Sequence, residues 1–229
     1  KKAIQRLIQL CDENKIDLIH AHDAASQWVA ARVRKRRPKI KLLMTFHRSL
    51  GFESAGWKAK TRNALAGLKT SAIVVGSRAR QRHYLTENYF PARKLVRIPF
   101  GIDLARFRPD PAARTAIRDE LGFRGELALG DNELLIGAVG HFGPEKGIDL
   151  AIRGFLAFCR ARPESRAKLV VIGRGTPEQE RAIRELAAPT GERIVFAGFR
   201  RDVERYFAAM DVFLHAPRQE AFGLVVAEA

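Results

Sequence analysis

The sequence predicts an α/β protein built from two parallel-sheet units. Apolar runs of strand length alternate with longer stretches of helical periodicity throughout the chain. The segment 99–111, which holds Pro99, Gly101, Pro109 and Pro111, has little periodicity and reads as a linker between the units. Strands joined through helices lie parallel, and helices then cover both faces of each sheet. We place the units at 1–108 and 109–229. Two such units facing each other would leave a cleft at the carboxyl ends of their strands, where ligands bind in this architecture.

In the first unit the pattern predicts a helix over 2–13 and a strand over 17–20. A second helix covers 24–36, and Pro38 bars its continuation. A strand over 41–46 and a glycine-bearing loop lead to a helix over 57–68. A strand over 72–75 enters a helix over 78–89 with Ser77 as N-cap, and a strand over 95–98 closes the unit. The second unit repeats the alternation: strand 134–139 and helix 148–161, strand 168–172 and helix 178–187, strand 193–196 and helix 203–209. A strand over 212–215 then precedes a helix that starts near Phe222.

Composition excludes several classes. Of 229 residues, 46% are hydrophobic and 29% charged, the balance of a globular protein. No apolar run approaches the roughly 20 residues of a membrane-spanning helix. Cys11 and Cys159 form no C-x-x-C pair, so dithiol and zinc-ribbon chemistry have no motif, and a reduced cytoplasmic setting is expected. The charge is uneven. Residues 1–108 hold 24 Lys and Arg against 7 Asp and Glu, whereas residues 109–229 hold 17 against 18. The first half is therefore expected to meet an anionic partner.

The most informative run is E-A-F-G-L-V-V-A-E, from Glu220 to Glu228. It follows an apolar strand and the break Pro217-Arg218-Gln219. That order puts Glu220 at the carboxyl end of a strand and Glu228 about two turns into the next helix. The N–H groups of Phe222, Gly223 and Leu224 would point out of the helix start, where unpaired donors and the macrodipole favour an anion. Two carboxylates for hydroxyls with a phosphate between them suit a nucleotide sugar. The plainer alternative is a loop glutamate and an exposed helix glutamate.

Other motifs fail on inspection. Gly173-x-Gly175 follows a strand, but the third position of a dinucleotide fingerprint is Glu178. Lys146 is followed by Gly147, so no Walker loop fits. No Asp-x-Asp occurs; Asp131-x-Glu133 and Asp202-x-Glu204 come nearest. His20 and His22 share a strand face, but no third metal ligand is evident beside them. Lys146, in a loop directly after a strand, could neutralise a diphosphate leaving group without a metal.

The stretch 217–229 resembles the E-x7-E motif of glycosyltransferase family 4, retaining enzymes with the GT-B fold. Further segments match in the family's order: Thr45-Phe46-His47, then Ile98-Pro99-Phe100-Gly101-Ile102-Asp103 with Phe107 and Pro109. Val139-Gly140-His141-Phe142-Gly143-Pro144-Glu145-Lys146-Gly147 and Val170-Val171-Ile172-Gly173-Arg174-Gly175 follow. The resemblance covers nearly the whole chain. It implies a GT-B protein of two Rossmann-like domains, both incomplete in this chain, with elements expected before Lys1 and after Ala229.

The resemblance also implies roles. Glu220 would hold sugar hydroxyls and support charge at the anomeric carbon, and Lys146 with His141 would stabilise the leaving diphosphate. Glu228 would accept the ribose hydroxyls, and backbone at Gly198-Phe199-Arg200 would hold the base. Phe222, Gly223 and Leu224 would contact phosphate, and His47 would face the sugar. Two positions depart from the family pattern: His141 stands where an arginine is usual, and Arg48 where a glycine follows the histidine.

The implied activity is retaining, metal-independent glycosyl transfer from a nucleotide sugar, UDP-linked rather than GDP-linked, with no further cofactor. The basic first half implies a lipid-linked or anionic glycan acceptor, as in lipopolysaccharide or other polysaccharide synthesis. It also implies peripheral association with an anionic membrane on its cytoplasmic face. A sugar-nucleotide epimerase of GT-B fold is the enzymatic alternative. A nucleic-acid-binding protein is the non-enzymatic one, but base stacking needs exposed aromatics and that half has few, most of them on predicted strands or apolar helix faces, so no nucleic acid is expected.

Overall fold

The computed structural model describes residues 2–47, 57, 61, 65, 67–86, 91–122, 134–220 and 222–229. The chain divides into two compact units, Lys1–Phe100 and Gly101–Ala229. The boundary falls inside the segment 99–111.

The first unit contains α1 (Lys2–Glu13), β1 (Leu18–Ala21), α2 (Ala24–Arg36), β2 (Lys41–Phe46), β3 (Ala72–Val75), α3 (Arg78–Thr86) and β4 (Leu95–Arg97). The strands form a parallel sheet in the order β1-β2-β3-β4. Asp23 starts α2: its carboxylate accepts the Ser26 N–H at 2.6 Å and Ser26 Oγ accepts the Asp23 N–H at 3.1 Å. Each side chain thus satisfies a backbone donor that the first turn leaves open. Leu42, Met44, Ile73 and Val75 are buried against Ala30 and Tyr84. The helix expected over 57–68 falls mostly outside the described residues, as does Arg48.

Several basic residues of this unit are engaged inside it rather than being free surface charge. Arg37 forms a two-pronged ion pair with Asp12, at 2.8 and 2.6 Å. Arg34 donates to the Lys69 carbonyl, and Arg32 stacks on Trp28. Arg80 of α3 is buried. Sequence proximity could not show these contacts, because Asp12 and Lys69 lie on other parts of the unit.

The second unit contains α4 (Pro111–Glu120), β5 (Leu135–Val139), α5 (Ile148–Ala161), β6 (Lys168–Ile172), α6 (Pro177–Ala187), β7 (Ile194–Gly198), α7 (Val203–Ala209), β8 (Val212–Phe213) and α8 (Leu224–Glu228). The sequence analysis assigned no helix over α4. Its start signal was present: Pro111 occupies the first turn, and the Asp110 carboxylate accepts the Ala113 N–H at 2.9 Å.

The strand order is β7-β6-β5-β8, all parallel. Alternate residues of β6 serve two cores. Leu169 and Val171 pack with Ile152 and Phe155 of α5 and Ile183 of α6. Val170 and Ile172 pack with Ile117 of α4 and Tyr206 of α7. Burial on both faces explains the continuous apolar run L-V-V-I, Leu169 to Ile172. From β5 the chain proceeds outward to β6 and β7, then returns to place β8 on the other side of β5. That reversal is a topological switch point, the place where sites form at the strand ends of such sheets.

Candidate functional site

The switch point brings together residues 74 positions apart in sequence. Lys146 Nζ lies 3.0 Å from Glu220 Oε2. Lys146 ends a short 3-10 turn, Pro144–Lys146, that follows β5, and Glu220 follows β8. Both side chains are partly shielded, at 30% and 25% exposure. The ion pair forms because β5 and β8 are neighbours, in the register Ile136↔Val212 and Gly137↔Phe213.

Backbone and side-chain contacts fix the two loops on each other. The Arg218 and Gln219 N–H groups both donate to the Glu145 carbonyl, at 2.9 and 3.2 Å. Arg218 also reaches the Pro144 carbonyl at 2.9 Å and grips both oxygens of Asp149, at 2.7 and 2.6 Å. The Arg218 guanidinium holds the Asp149 carboxyl below its ordinary value. Gly147 has φ +63°, and a Cβ built there would stand 1.8 Å from the Ala216 carbonyl oxygen. Only glycine permits this approach, so Gly147 sets the spacing that lets Lys146 meet Glu220.

His215 approaches the same carboxylate. Its Nε2 lies 3.6 Å from Glu220 Oε2, and its ring stacks on Phe213. The side chain is 17% exposed, and Nε2 has no hydrogen-bond partner among the described residues. Burial pulls its pKa below the ordinary value; Glu220 opposes that shift and Lys146 adds to it. The sequence analysis gave His215 no role beyond ending the strand expected over 212–215. It also gave no role to Arg218 or Asp149, whose pairing across the loops no local motif announces.

His141 is engaged by Gly143 and Glu145. Its Nδ1 accepts the Gly143 N–H at 2.9 Å, and its Nε2 lies 2.7 Å from Glu145 Oε1. An accepting Nδ1 carries no proton, so the ring here is the Nε2–H tautomer donating to Glu145.

The C-terminal helix departs from its expected form. It begins at Leu224, two residues past Phe222, with Gly223 at φ +82° as its N-cap. Glu228 is therefore the fifth residue of α8, about one turn in rather than two. It lines a shallow cavity with Phe107, Glu204 and Phe207, and its charge acts on Arg106. Gly223 stays beside Glu220: a Cβ there would lie 3.5 Å from Glu220 Cγ. Phe199, 59% exposed after β7, carries Arg174 over its ring at 5.1 Å.

In the first unit, His47 gathers with both histidines of the H-A-H pair. His22 Nδ1 lies 2.8 Å from His47 Nε2, and His20 Nε2 lies 2.7 Å from Thr45 Oγ1. His47 also stacks on Phe100. Burial, then the neighbouring His22 and His47, hold the His20 pKa below its ordinary value. The third imidazole missing from the local sequence is thus present in space. The ring nitrogens engage each other and a hydroxyl, and among the described residues no group of His, Cys, Asp and Glu is arranged to hold a metal ion.

Both units match models of known families. Residues 2–106 match the family model described as Glycosyltransferase Family 4, and residues 133–229 match the one described as Glycosyl transferases group 1. The chain belongs to glycosyltransferase family 4. It is 31% identical over 183 residues to mannosylfructose-phosphate synthase of Agrobacterium fabrum, which covers 76% of this chain and 38% of that protein. A GDP-mannose-dependent alpha-(1-6)-phosphatidylinositol monomannoside mannosyltransferase of Mycolicibacterium smegmatis is 28% identical over 228 residues. That match covers 96% of this chain and 56% of the relative. The chain therefore spans about half or less of the length of these curated relatives. Among solved structures, HepE of Anabaena in complex with UDP matches with a TM-score of 0.80 at 22% identity, over 99% of this chain and 60% of that one. The fold of this family 4 chain is GT-B, with four parallel strands described in each unit.

Proposed function

We propose that the protein is a retaining glycosyltransferase that moves a sugar from a nucleotide sugar to a glycan or lipid-linked acceptor without a metal. The observation that carries this reading is the meeting of Lys146 and Glu220 at the switch point, 3.0 Å apart. An ammonium and a carboxylate there supply opposite charges for the two ends of a donor. Lys146 would neutralise the diphosphate as it leaves, and Glu220 would hold sugar hydroxyls and support positive charge at the anomeric carbon. His141, as a neutral donor held by Glu145, would add direction but no charge at the phosphate. The first-turn N–H groups after Gly223 would supply further phosphate contacts. Glu228 would take the ribose hydroxyls, Phe199 with its backbone would hold the base, and His47 would face the sugar.

The support for metal independence is a positive one: Lys146 offers the charge that a metal bridge would otherwise bring, and the sequence has no Asp-x-Asp to hold one. The test is transfer from a panel of UDP- and GDP-sugars, with and without chelator. Activity should survive chelation, and the product should keep the anomeric configuration of the donor. Strict dependence on added manganese or magnesium, or an inverted product, would overturn the reading. An epimerase would form product without acceptor. UDP remains the favoured carrier; the name of the mycobacterial relative keeps GDP in the panel.

The acceptor reading rests on the basic first unit. Lys35, Arg36, Arg78 and Arg82 remain exposed after the internal contacts are set aside. Each exposed cation near an anionic surface contributes about 1 kcal/mol, less at high salt. No described helix is long and apolar enough to cross a membrane, so attachment would be peripheral. In flotation assays the protein should rise with vesicles rich in anionic lipid at low salt and not with neutral ones. Equal, negligible binding to both, with efficient transfer to a neutral soluble acceptor, would remove this part of the proposal.

A further inference from the structure

The H-A-H pair fails as a metal motif, yet both of its histidines join His47 at the carboxyl edge of the first sheet. His22 stands one residue past β1, His47 one past β2 and Gly76 one past β3, and Phe100 follows β4. His22 Nδ1 and His47 Nε2 lie 2.8 Å apart. Their ring centres are 5.1 Å apart and their planes differ by 16°. That separation matches the nitrogen–nitrogen distance plus the distance from each nitrogen to its own ring centre, the largest value this contact allows. Each ring therefore points its nitrogen straight at the other, along the axis of an N–H or a lone pair. This is a hydrogen bond between ring edges, not a face-to-face stack.

Neighbouring groups hold the two rings. His20 lies against His22 with ring centres 4.0 Å apart, and its Nε2 is tied to Thr45 Oγ1 at 2.7 Å. Phe100 stacks on His47 with centres 5.3 Å apart. Gly76 makes room for that ring, because a Cβ there would stand 2.7 Å from Phe100 Cε2.

We infer that His22 is a positioning residue for His47: the proton shared between them fixes the His47 ring and leaves its Nδ1 for the ligand. The inference rests on the reading of His47 as the residue that faces the sugar. Proton accounting supports it. A neutral imidazole has one N–H and one lone pair, so a contact between two ring nitrogens takes one hydrogen. If His22 donates, His47 carries its own proton on Nδ1 and can give a hydrogen bond to a sugar hydroxyl. If His47 donates, its Nδ1 is the lone pair and can accept one. Either way Nε2 is committed to His22 and Nδ1 is presented. An imidazole without such a partner can turn over about χ2 and exchange tautomers. Settling both in advance spares the site that ordering when the substrate arrives.

The test depends on which nitrogen a replacement copies. An asparagine amide falls where histidine Nδ1 lies, and a glutamine amide falls nearer Nε2. In glycosyl transfer, His22→Asn should keep turnover within about threefold of native, whereas His22→Gln and His22→Ala should lower it about tenfold, the scale of one lost hydrogen bond. A residue that only filled space would rank the variants by size, with glutamine best. Affinity for UDP and GDP, assigned to the second unit, should be unchanged in all three. Separately, imidazole nitrogen NMR spectra at about pH 8, where a free imidazole is neutral, should show one tautomer of His47 in the native protein and a mixture of two in His22→Ala. An unchanged His47 tautomer in His22→Ala would overturn the inference whether or not a donor and acceptor pair has been found. So would glutamine outperforming asparagine, or His22→Ala within about twofold of native turnover. His47→Ala separates the inference from the reading beneath it. If that variant loses turnover and His22→Ala does not, the inference alone fails; if His47→Ala transfers normally, His47 does not face the sugar and both fall.

Discussion

Glu220→Ala is expected to lower turnover about a hundredfold or more, the scale of losing one preorganised electrostatic contact to a transition state. The structure adds a second expectation that separates chemistry from binding. Glu220 holds Lys146 at 3.0 Å, so removing the carboxylate releases the ammonium for phosphate. Nucleoside diphosphate affinity should therefore hold or tighten while turnover falls. Loss confined to turnover marks an interaction made in the transition state, whereas loss of ligand affinity would mark a collapsed loop. Near-normal turnover would refute the assignment. A tenfold loss of UDP or GDP affinity would show that Glu220 acts mainly as a strut for the loop.

Asp211→Ala should produce the largest change in stability, about 3 kcal/mol against the second unit. The carboxylate stands between β8 and α4 and is 14% exposed. Arg114 reaches Oδ1 at 2.5 Å, Arg118 reaches Oδ2 at 3.0 Å, and the Leu135 N–H donates to Oδ2 at 2.8 Å. Its removal would take the carboxylate from two partly buried guanidinium groups, which keep carbonyl contacts such as Ala209, and from one strand N–H. Burial by itself would raise the Asp211 pKa; the hydrogen bonds from Arg114, Leu135 and Arg118 outweigh it and hold the carboxyl below its ordinary value of 3.8. A depressed folded-state pKa means that the unfolded chain binds the proton first on acidification. The stabilisation is thus fully present above the unfolded value and is lost as pH falls below 3.8 through the folded one. Asp149 is lowered as well, so the acid limb is shared. Asp211→Asn should flatten that limb relative to the native protein without removing it. Urea melts from neutral pH downward would check both statements. An alanine variant within about 0.5 kcal/mol of native, the range of an ordinary surface change, would refute the first.

The sequence by itself determined the order of elements and the chemistry of their ends. Periodicity was enough for α5 over Ile148–Ala161 and β6 over Lys168–Ile172, because a strand buried on both faces and an amphipathic helix differ in local pattern. Helix α4 was legible in its Asp110-Pro111 start, but the proline-rich stretch before it looked like continuous linker. Lys146, Glu220, His141 and His47 could each be singled out because they sit at strand ends in recognisable loops.

What the sequence could not give was proximity. Lys146 meets Glu220 because β8 returns to the free side of β5, a choice made by the packing of helices on both faces of the sheet. Arg218 with Asp149, Arg37 with Asp12, and His22 with His47 are likewise partners from separate segments. Gly223 shifted the start of α8 through a left-handed backbone, which no residue count could anticipate. His215 shows the difference most directly. In sequence it is one more residue of an apolar strand end. In the structure its nitrogen is buried, unanswered and within 3.6 Å of the carboxylate. Element identity is set by local forces between near neighbours along the chain. Which side chains share a dielectric and compete for one oxygen is set only when the sheet closes.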